Sequence, residues 1–289
     1  MLTREELLRG ARRLASRANP RIRAWASLAE RRARDELGLT LAEGAKLAAE
    51  ALAAWPGGHF HPVALLVSDS GAGREAAGEL FARAGELGLE RFSLTDECFA
   101  GISSLKNPDG LALLLSFASG TEESVPPWIL PESRWLVAAG VQDPGNAGAL
   151  ARSALAAGFS GCLYLDGADP RAPKFLRGSM GAAFRLPCLS QPLRDFVAAG
   201  TRFAGRVSLI QATSRAAGGE DYRRMAYQPP FLVLVGGERG MPPELAALAT
   251  QSVHIPLAGG VESLNLAVAA GIILFEANRR FSRGDFRDA

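Results

Sequence analysis

Three cysteines, three histidines and three lysines are all that this chain of 289 residues has of each. Cys98, Cys162 and Cys188 are odd in number, widely spaced and without a C-x-x-C pair. With His59, His61 and His254 they complete no ligand set, so no metal site and no disulfide framework is expected, and the thiols should be reduced. Long apolar runs are also missing. The longest, Leu264 to Phe275, is interrupted by Asn265 and is too short to cross a bilayer. The first residues, Met1-Leu-Thr-Arg-Glu-Glu6, lack the apolar core of a signal peptide. No strand-like run is followed by G-x-G-x-x-G, which argues against a nicotinamide-dependent dehydrogenase. These absences leave the expectation of a cytoplasmic protein with no metal and no membrane partner.

The net charge of +2 is small, but its distribution is uneven. From Met1 through Arg34 there are ten Arg against three acidic residues, an excess of seven. Basic residues gathered at one end suit a polyanion, although a solvated helix face would have the same composition. Of the 32 basic residues only Lys46, Lys106 and Lys174 are Lys. Arg offers a planar fork for phosphate, but biased codon usage would produce the same preference.

Read for periodicity, Thr3 and Glu6 form an S/T-x-x-E box opening a helix through about Ala15, which Asn19-Pro20 interrupts. Helices are predicted over 25–36, 43–54 and 74–85, with Thr95 capping a short one. Buried strands are predicted over 63–67 and 111–117, with 91–94 extended. Residues 118–131, rich in small, acidic and Pro residues, read as a linker. The alternation then restarts, with strands at 135–139, 161–165, 231–235 and 253–257 and helices at 146–157 and 263–280. Near-continuous apolar strands alternating with helices indicate an α/β fold whose second half has a parallel sheet covered on both faces.

Three segments lie where a strand gives way to a loop, which is where open α/β sheets bind ligands. In Val141–Arg152, Asn146 stands at a helix start as a candidate cap, with Arg152 six residues on. A capped helix with an ordinary surface Arg is an equal reading. In Leu234-Val-Gly-Gly-Glu-Arg-Gly240 a Gly-rich turn follows a buried strand and permits close approach to the backbone. Glu238 there would repel a pyrophosphate, so the turn suits a neutral or cationic ligand. In Ile255–Asn265, Ser263 is a candidate cap and Asn265 sits in the first helical turn; together they either align a substrate or merely cap.

Taken together and in this order, the segments resemble the three signature motifs of the SpoU branch of the SPOUT RNA methyltransferases. D-P-x-N-x-G-x-x-x-R is matched at Asp143, Pro144, Asn146, Gly148 and Arg152. I-P-x-x-G-x-x-x-S-L-N is matched from Ile255 to Asn265. Pro173-Lys-Phe-Leu-Arg177-Gly-Ser179-Met-Gly181 is similar to the family's P-K-x-x-R-x-S-x-G element. The similarity covers Trp135 to Arg280. The middle motif departs from the family's G-x-E-x-x-G, because Gly236–Gly240 is one residue shorter. A looser similarity to the family's L30e-like substrate-binding domain rests on Ser27-Leu28 with Arg31, Arg32 and Arg34, on Glu43-Gly44, and on Ser104–Gly110.

The resemblance implies residues 1–117 as a smaller L30e-like α/β domain, 118–131 as a linker and 132–289 as a trefoil-knotted methyltransferase domain. It implies S-adenosylmethionine held by Val235, Gly236, Ile255, Leu257 and Leu264, and methyl transfer to a ribose 2′-hydroxyl with Arg152, Asn146, Glu238, Ser263 and Asn265 as catalytic residues. RNA contacts are expected at Arg31, Arg32, Arg34 and Arg177. The implied substrate is ribosomal RNA, with transfer RNA or a catalytically inactive RNA-binding module as alternatives. The apolar closing helix implies a homodimer.

Overall fold

A computed structural model describes residues 10–117, 130–203, 205–214, 218–259 and 261–279, and they form two compact α/β units. The first gathers the described residues up to Phe117 together with Arg171–Arg185, and the second residues 130–170 and those from Leu186 onward.

In the first unit the elements are β1 (Arg12–Leu14), α1 (Pro20–Ala26), α2 (Arg31–Leu37), β2 (Leu39–Glu43), α3 (Ala45–Ala54), β3 (Phe60–Ser68), α4 (Glu75–Glu86), β4 (Glu90–Leu94), α5 (Asp96–Ile102) and β5 (Leu111–Phe117). The sheet order is β1-β4-β3-β5-β2, with β5 antiparallel to both neighbours and the other pairs parallel. The C-terminal ends of β1 to β4 and the loop entering β5 therefore share one end of the sheet. Its core joins Leu41, Leu66, Phe92 and Leu114 to Ile22, Trp25 and Phe99. Trp25 and Phe92 meet edge to face at 5.2 Å.

Two sequence expectations are corrected here. Arg12–Leu14 is not the end of a helix but an edge strand parallel to β4; the proposed capping box at Thr3 and Glu6 lies outside the described residues. Asn19-Pro20 starts a helix rather than breaking one. Asn19 Oδ1 accepts from Arg21 N at 2.9 Å, and Pro20 takes the first helical position, where no N–H is needed. The helix expected over 25–36 is accordingly split into α1, a short 3₁₀ turn at Ser27–Ala29 and α2.

Arg171–Arg185 contains α7 (Pro173–Ser179) and α8 (Ala182–Arg185), both unpredicted. It stands between strands of the second unit in sequence yet packs with the first. Thr40 Oγ1 donates to the Arg171 carbonyl at 2.6 Å, Arg185 pairs with Glu50 at 2.7 Å, and the Phe60 and Phe184 rings meet at 5.6 Å.

The second unit has β6 (Arg134–Ala139), α6 (Pro144–Ala156), β7 (Gly161–Leu165), β8 (Cys188–Gln191), α9 (Leu193–Phe203), β9 (Ser208–Thr213), β10 (Glu220–Asp221), β11 (Phe231–Gly236), α10 (Pro243–Ala246), β12 (Gln251–His254) and α11 (Leu266–Arg279). Its seven strands, in the order β10-β12-β9-β11-β6-β7-β8, are all parallel. Strands β6, β7, β9 and β11 bury Val137, Leu163, Leu209 and Leu232 against Phe196 and Leu245. Helix α11 packs on α6, and Arg134 Nη1 donates to Asn278 Oδ1 at 2.7 Å near its end. Among the described residues no helix is long and apolar enough to cross a membrane, and no group of His, Cys, Asp or Glu could hold a metal ion.

Arg34 is the clearest case of a charge read wrongly from sequence. It is 3% exposed, and its Nη1 donates to the carbonyls of Leu28 and Ala29, both at 2.8 Å. It ties the 3₁₀ turn to α2 instead of facing a phosphate. Arg34→Leu is expected to lower stability by about 2–3 kcal/mol, since two carbonyls lose a charged donor. Urea denaturation checks this; a midpoint unchanged from wild type would refute it.

Candidate active site

The loops that follow β9, β11 and β12 open from the C-terminal ends of neighbouring parallel strands, so the topology places them together. β11 runs straight into Gly236–Gly240. Gly237 N donates to the Ala139 carbonyl at 2.7 Å, and Gly240 N to the Gly237 carbonyl at 2.9 Å. A Cβ on Gly236 would lie 2.4 Å from Gly240 C and Met241 N; one on Gly237 would lie 2.4 Å from the Gly140 carbonyl oxygen. Backbone passes against backbone at both positions, and only glycine permits that approach. The shortened middle motif thus folds as a tight turn, with Gly240 at a φ of +83°.

Two caps differ from expectation. Asp143, not Asn146, caps α6: its carboxylate accepts from Asn146 N at 2.9 Å. Pro144 fills the first helical position, which leaves the Asn146 amide side chain for another role. Likewise Asn265, not Ser263, caps α11, its Oδ1 accepting from Ala267 N at 2.9 Å and Val268 N at 3.4 Å. An acceptor directly preceding the helix outranks one two residues earlier, because the cap must reach the N–H groups of the first turn.

These loops enclose a cleft of about 990 Å³ in the second unit, at the upper end of the roughly 300–1,000 Å³ of small-molecule sites. Val235, Gly236, Ile255, Leu257 and Leu264 all line it, as do Asn146, Glu238, Ser263 and Asn265. Ala269, Ala270 and Ile273 of α11 supply an apolar wall. The backbone groups of Ile255, Leu257 and Leu264 make no hydrogen bond among the described residues, so the wall offers donors and acceptors to a ligand. Glu238 and Glu262 are the charged residues in the lining, and both are acidic. Such a cleft favours a cation and disfavours a polyphosphate.

Arg152 alone among the expected catalytic residues does not line the cleft. Six residues along a helix is a turn of about 240°, so Arg152 emerges roughly 120° round α6 from Asn146. It is exposed and has no partner among the described residues. Sequence reading also missed Gln211 and Thr213, which line the cleft from the end of β9. The available signal was only the β-prone apolar pair Leu209-Ile210, too short a run beside the polar Gln211 to mark a strand.

The expected RNA residues lie in the first unit and are not gathered at one place. Arg31 Nε is 3.8 Å from Asp35, and Arg32 donates to Glu36 at 2.7 Å, each a pair along α2. Arg177 is half-buried, with Nη1 3.2 Å from Glu43 and 3.0 Å from Ser104 Oγ.

Comparison with known proteins bears on both units. The model of the SpoU rRNA Methylase family matches residues 133–275, and that of the MRM3-like substrate binding domain matches residues 19–113. An uncharacterised tRNA/rRNA methyltransferase of Synechocystis is 31% identical over 271 residues, 92% of this chain and 93% of the relative. The 23S rRNA (guanosine(2553)-2′-O)-methyltransferase RlmP of Bacillus subtilis is 28% identical over 270 residues, 91% and 98% of the two chains. Among solved structures, the SpoU methyltransferase AviRb of Streptomyces viridochromogenes in complex with AdoMet superposes with a TM-score of 0.77 at 26% identity, covering 92% of this chain and 99% of that one.

Proposed function

The chain belongs to the SpoU rRNA methylase family, and from this we propose that it transfers a methyl group from S-adenosylmethionine to a ribose 2′-hydroxyl of ribosomal RNA in the cytoplasm. The observation that carries the reading is one cleft, acidic in its charged lining, onto which the loops of all three motifs converge. When bound, S-adenosylmethionine supplies a methyl group activated by a sulfonium, a cation suited to that lining. Val235, Gly236, Ile255, Leu257 and Leu264 hold it through backbone groups and apolar contact. Asn146 and Ser263 orient the ribose at the mouth, while Asn265 and Glu238 fix the loops that carry them. Arg152 clamps a phosphate of the substrate and stabilises charge developing on the 2′-oxygen.

The two family matches support residues 1–117 as the substrate-binding domain, 118–131 as the linker and 132–289 as the methyltransferase domain, except that Arg171–Arg185 packs with the first unit. The trefoil knot is part of the same reading. Its support is the likeness of the whole chain to the solved structure of a SpoU methyltransferase.

The test is direct. Purified protein should bind S-adenosylmethionine and not NAD in calorimetry. It should also label ribosomal RNA taken from cells lacking the gene with tritiated methyl groups. Labelling of transfer RNA instead, or of neither, would overturn the substrate or the activity.

The homodimer belongs to this proposal. On α11, Ala270, Ile273, Leu274 and Ala277 are buried, whereas Val268 (52% exposed) and Phe275 (48% exposed) form an uncovered stripe two turns apart. Light scattering at micromolar concentration should give twice the chain mass. Val268→Arg/Phe275→Arg should give the monomer, and a monomeric wild type would remove the dimer from the reading.

A further inference from the structure

The basic excess in the sequence precedes Asp35, yet the Arg residues of α2 are already engaged: Arg34 is buried on two carbonyls, Arg32 pairs with Glu36, and Arg31 lies 3.8 Å from an Asp35 that also pairs with Arg171 at 2.7 Å. The end of the first unit's sheet behaves in the opposite way. There the carboxylates are engaged internally. Buried Glu43 accepts from Ser103 Oγ, from Ser104 N and Oγ, and from Arg177. Asp109 accepts from Ala45 N at 2.8 Å and Leu111 N at 3.1 Å. Asp96 accepts from Ser70 N at 2.9 Å and Oγ at 2.8 Å, which holds its carboxyl below the ordinary range. Asp69 is paired with Arg13, both nitrogens at 2.7 Å.

The cations at the same end are not so engaged. Lys46 in the first turn of α3, Arg74 in the loop after β3 and Lys106 in the loop entering β5 are exposed and have no partner among the described residues. Of the exposed acids nearby, Glu97 lies 3.7 Å from Arg17, and Glu75 follows Arg74. The segments bearing the three cations are tied to one another. Asp109 bonds the start of α3, and Gly71 passes so close to Gly110 that a Cβ would lie 2.3 Å from its carbonyl oxygen. Arg177 secures the far side through Ser104 and Glu43.

We propose that this rim, presenting Lys46, Arg74 and Lys106, is the surface on which the first unit takes the RNA backbone, in place of the Arg-rich helix α2. The inference rests on the RNA methyltransferase reading above and names where that substrate is gripped. Unpaired cations on rigidly joined loops bind phosphates with little ordering cost, whereas a cation already paired along its own helix must first give up its partner.

The experiment compares four full-length proteins, each measured for binding to deproteinised ribosomal RNA across a salt series. They are the wild type, the rim variant Lys46→Gln/Arg74→Gln/Lys106→Gln, its conservative counterpart Lys46→Arg/Lys106→Arg, and the helix variant Arg31→Gln/Arg32→Gln. Calorimetry with S-adenosylmethionine and thermal midpoints accompany each. The rim variant should bind RNA at least ~10-fold more weakly, with the slope of log affinity against log salt shallower by roughly 2–3, at 0.7–0.9 per phosphate contact. The conservative variant should bind as the wild type does, and the helix variant should keep its slope. All four should bind the cofactor alike. A rim variant indistinguishable from a wild type that does bind RNA overturns the rim alone, as does a helix variant that carries the slope change. A wild type that binds the cofactor but no RNA overturns the methyltransferase reading, and the rim with it.

Discussion

Arg152→Ala is expected to reduce methyl transfer to RNA by about 10²–10³-fold, the usual cost of removing a single donor that stabilises developing charge. Affinity for S-adenosylmethionine should stay within about twofold of the wild type, because 1.4 kcal/mol would be needed for tenfold and Arg152 lines no part of the cleft. The two measurements are single-turnover methyl transfer and calorimetric titration on the same preparation. Equal losses in both would mean that Arg152 shapes the cofactor site, and its assigned role would be withdrawn. Arg152→Lys sharpens the test. It keeps the charge but not the planar fork, so partial recovery would identify charge as the main contribution.

Gly236→Ala is expected to impair the cofactor site and the fold together. The added methyl would stand 2.4 Å from Gly240 C and Met241 N and 2.6 Å from the Gly240 carbonyl oxygen, all backbone atoms. None of these moves without opening the turn that walls the cleft. Overpacking of this kind costs about 1–3 kcal/mol of stability. Cofactor affinity should fall well beyond what that destabilisation explains, by ~10²-fold or more if the displaced turn also costs its backbone contacts. Calorimetry below the unfolding transition separates the two effects. Normal affinity at normal stability would mean that the turn is more pliable than its contacts indicate.

The site was more legible in the sequence than the scaffold that holds it. Strands such as Leu111–Phe117 and Gly161–Leu165 are continuous apolar runs, and the structure gives them the bounds the sequence suggested. Nine of the ten residues expected at the cofactor and catalytic site line one cleft, since each motif sits at a strand end that a parallel sheet brings together. Capping was less legible, because Asp143 and Asn146, or Ser263 and Asn265, are all competent acceptors and only the register of the first turn decides between them. Arg34 misled for a different reason. Sequence counts charges without their partners, and its partners are carbonyls, which every residue has. The edge strand Arg12–Leu14 carries no apolar alternation; its pairing with β4, some 80 residues on, determines its conformation.

The inserted segment Arg171–Arg185 has a bearing on how the protein is made. Glu43 is fixed near the start of the chain, but the Arg177 that neutralises it is translated 134 residues later. Thr40 waits 131 residues for the Arg171 carbonyl. At the 5–20 residues per second typical of translation, that is an interval of roughly 7–27 seconds during which a carboxylate destined for burial has no guanidinium. The first unit therefore cannot mature as an autonomous N-terminal domain while the rest is still being synthesised. Its last pieces arrive only after the second unit has begun to emerge. For the same reason, a gene fusion that cuts between residues 118 and 131 would transplant an incomplete half, and any exchange of recognition domains between relatives must carry the helix pair α7–α8 along with it.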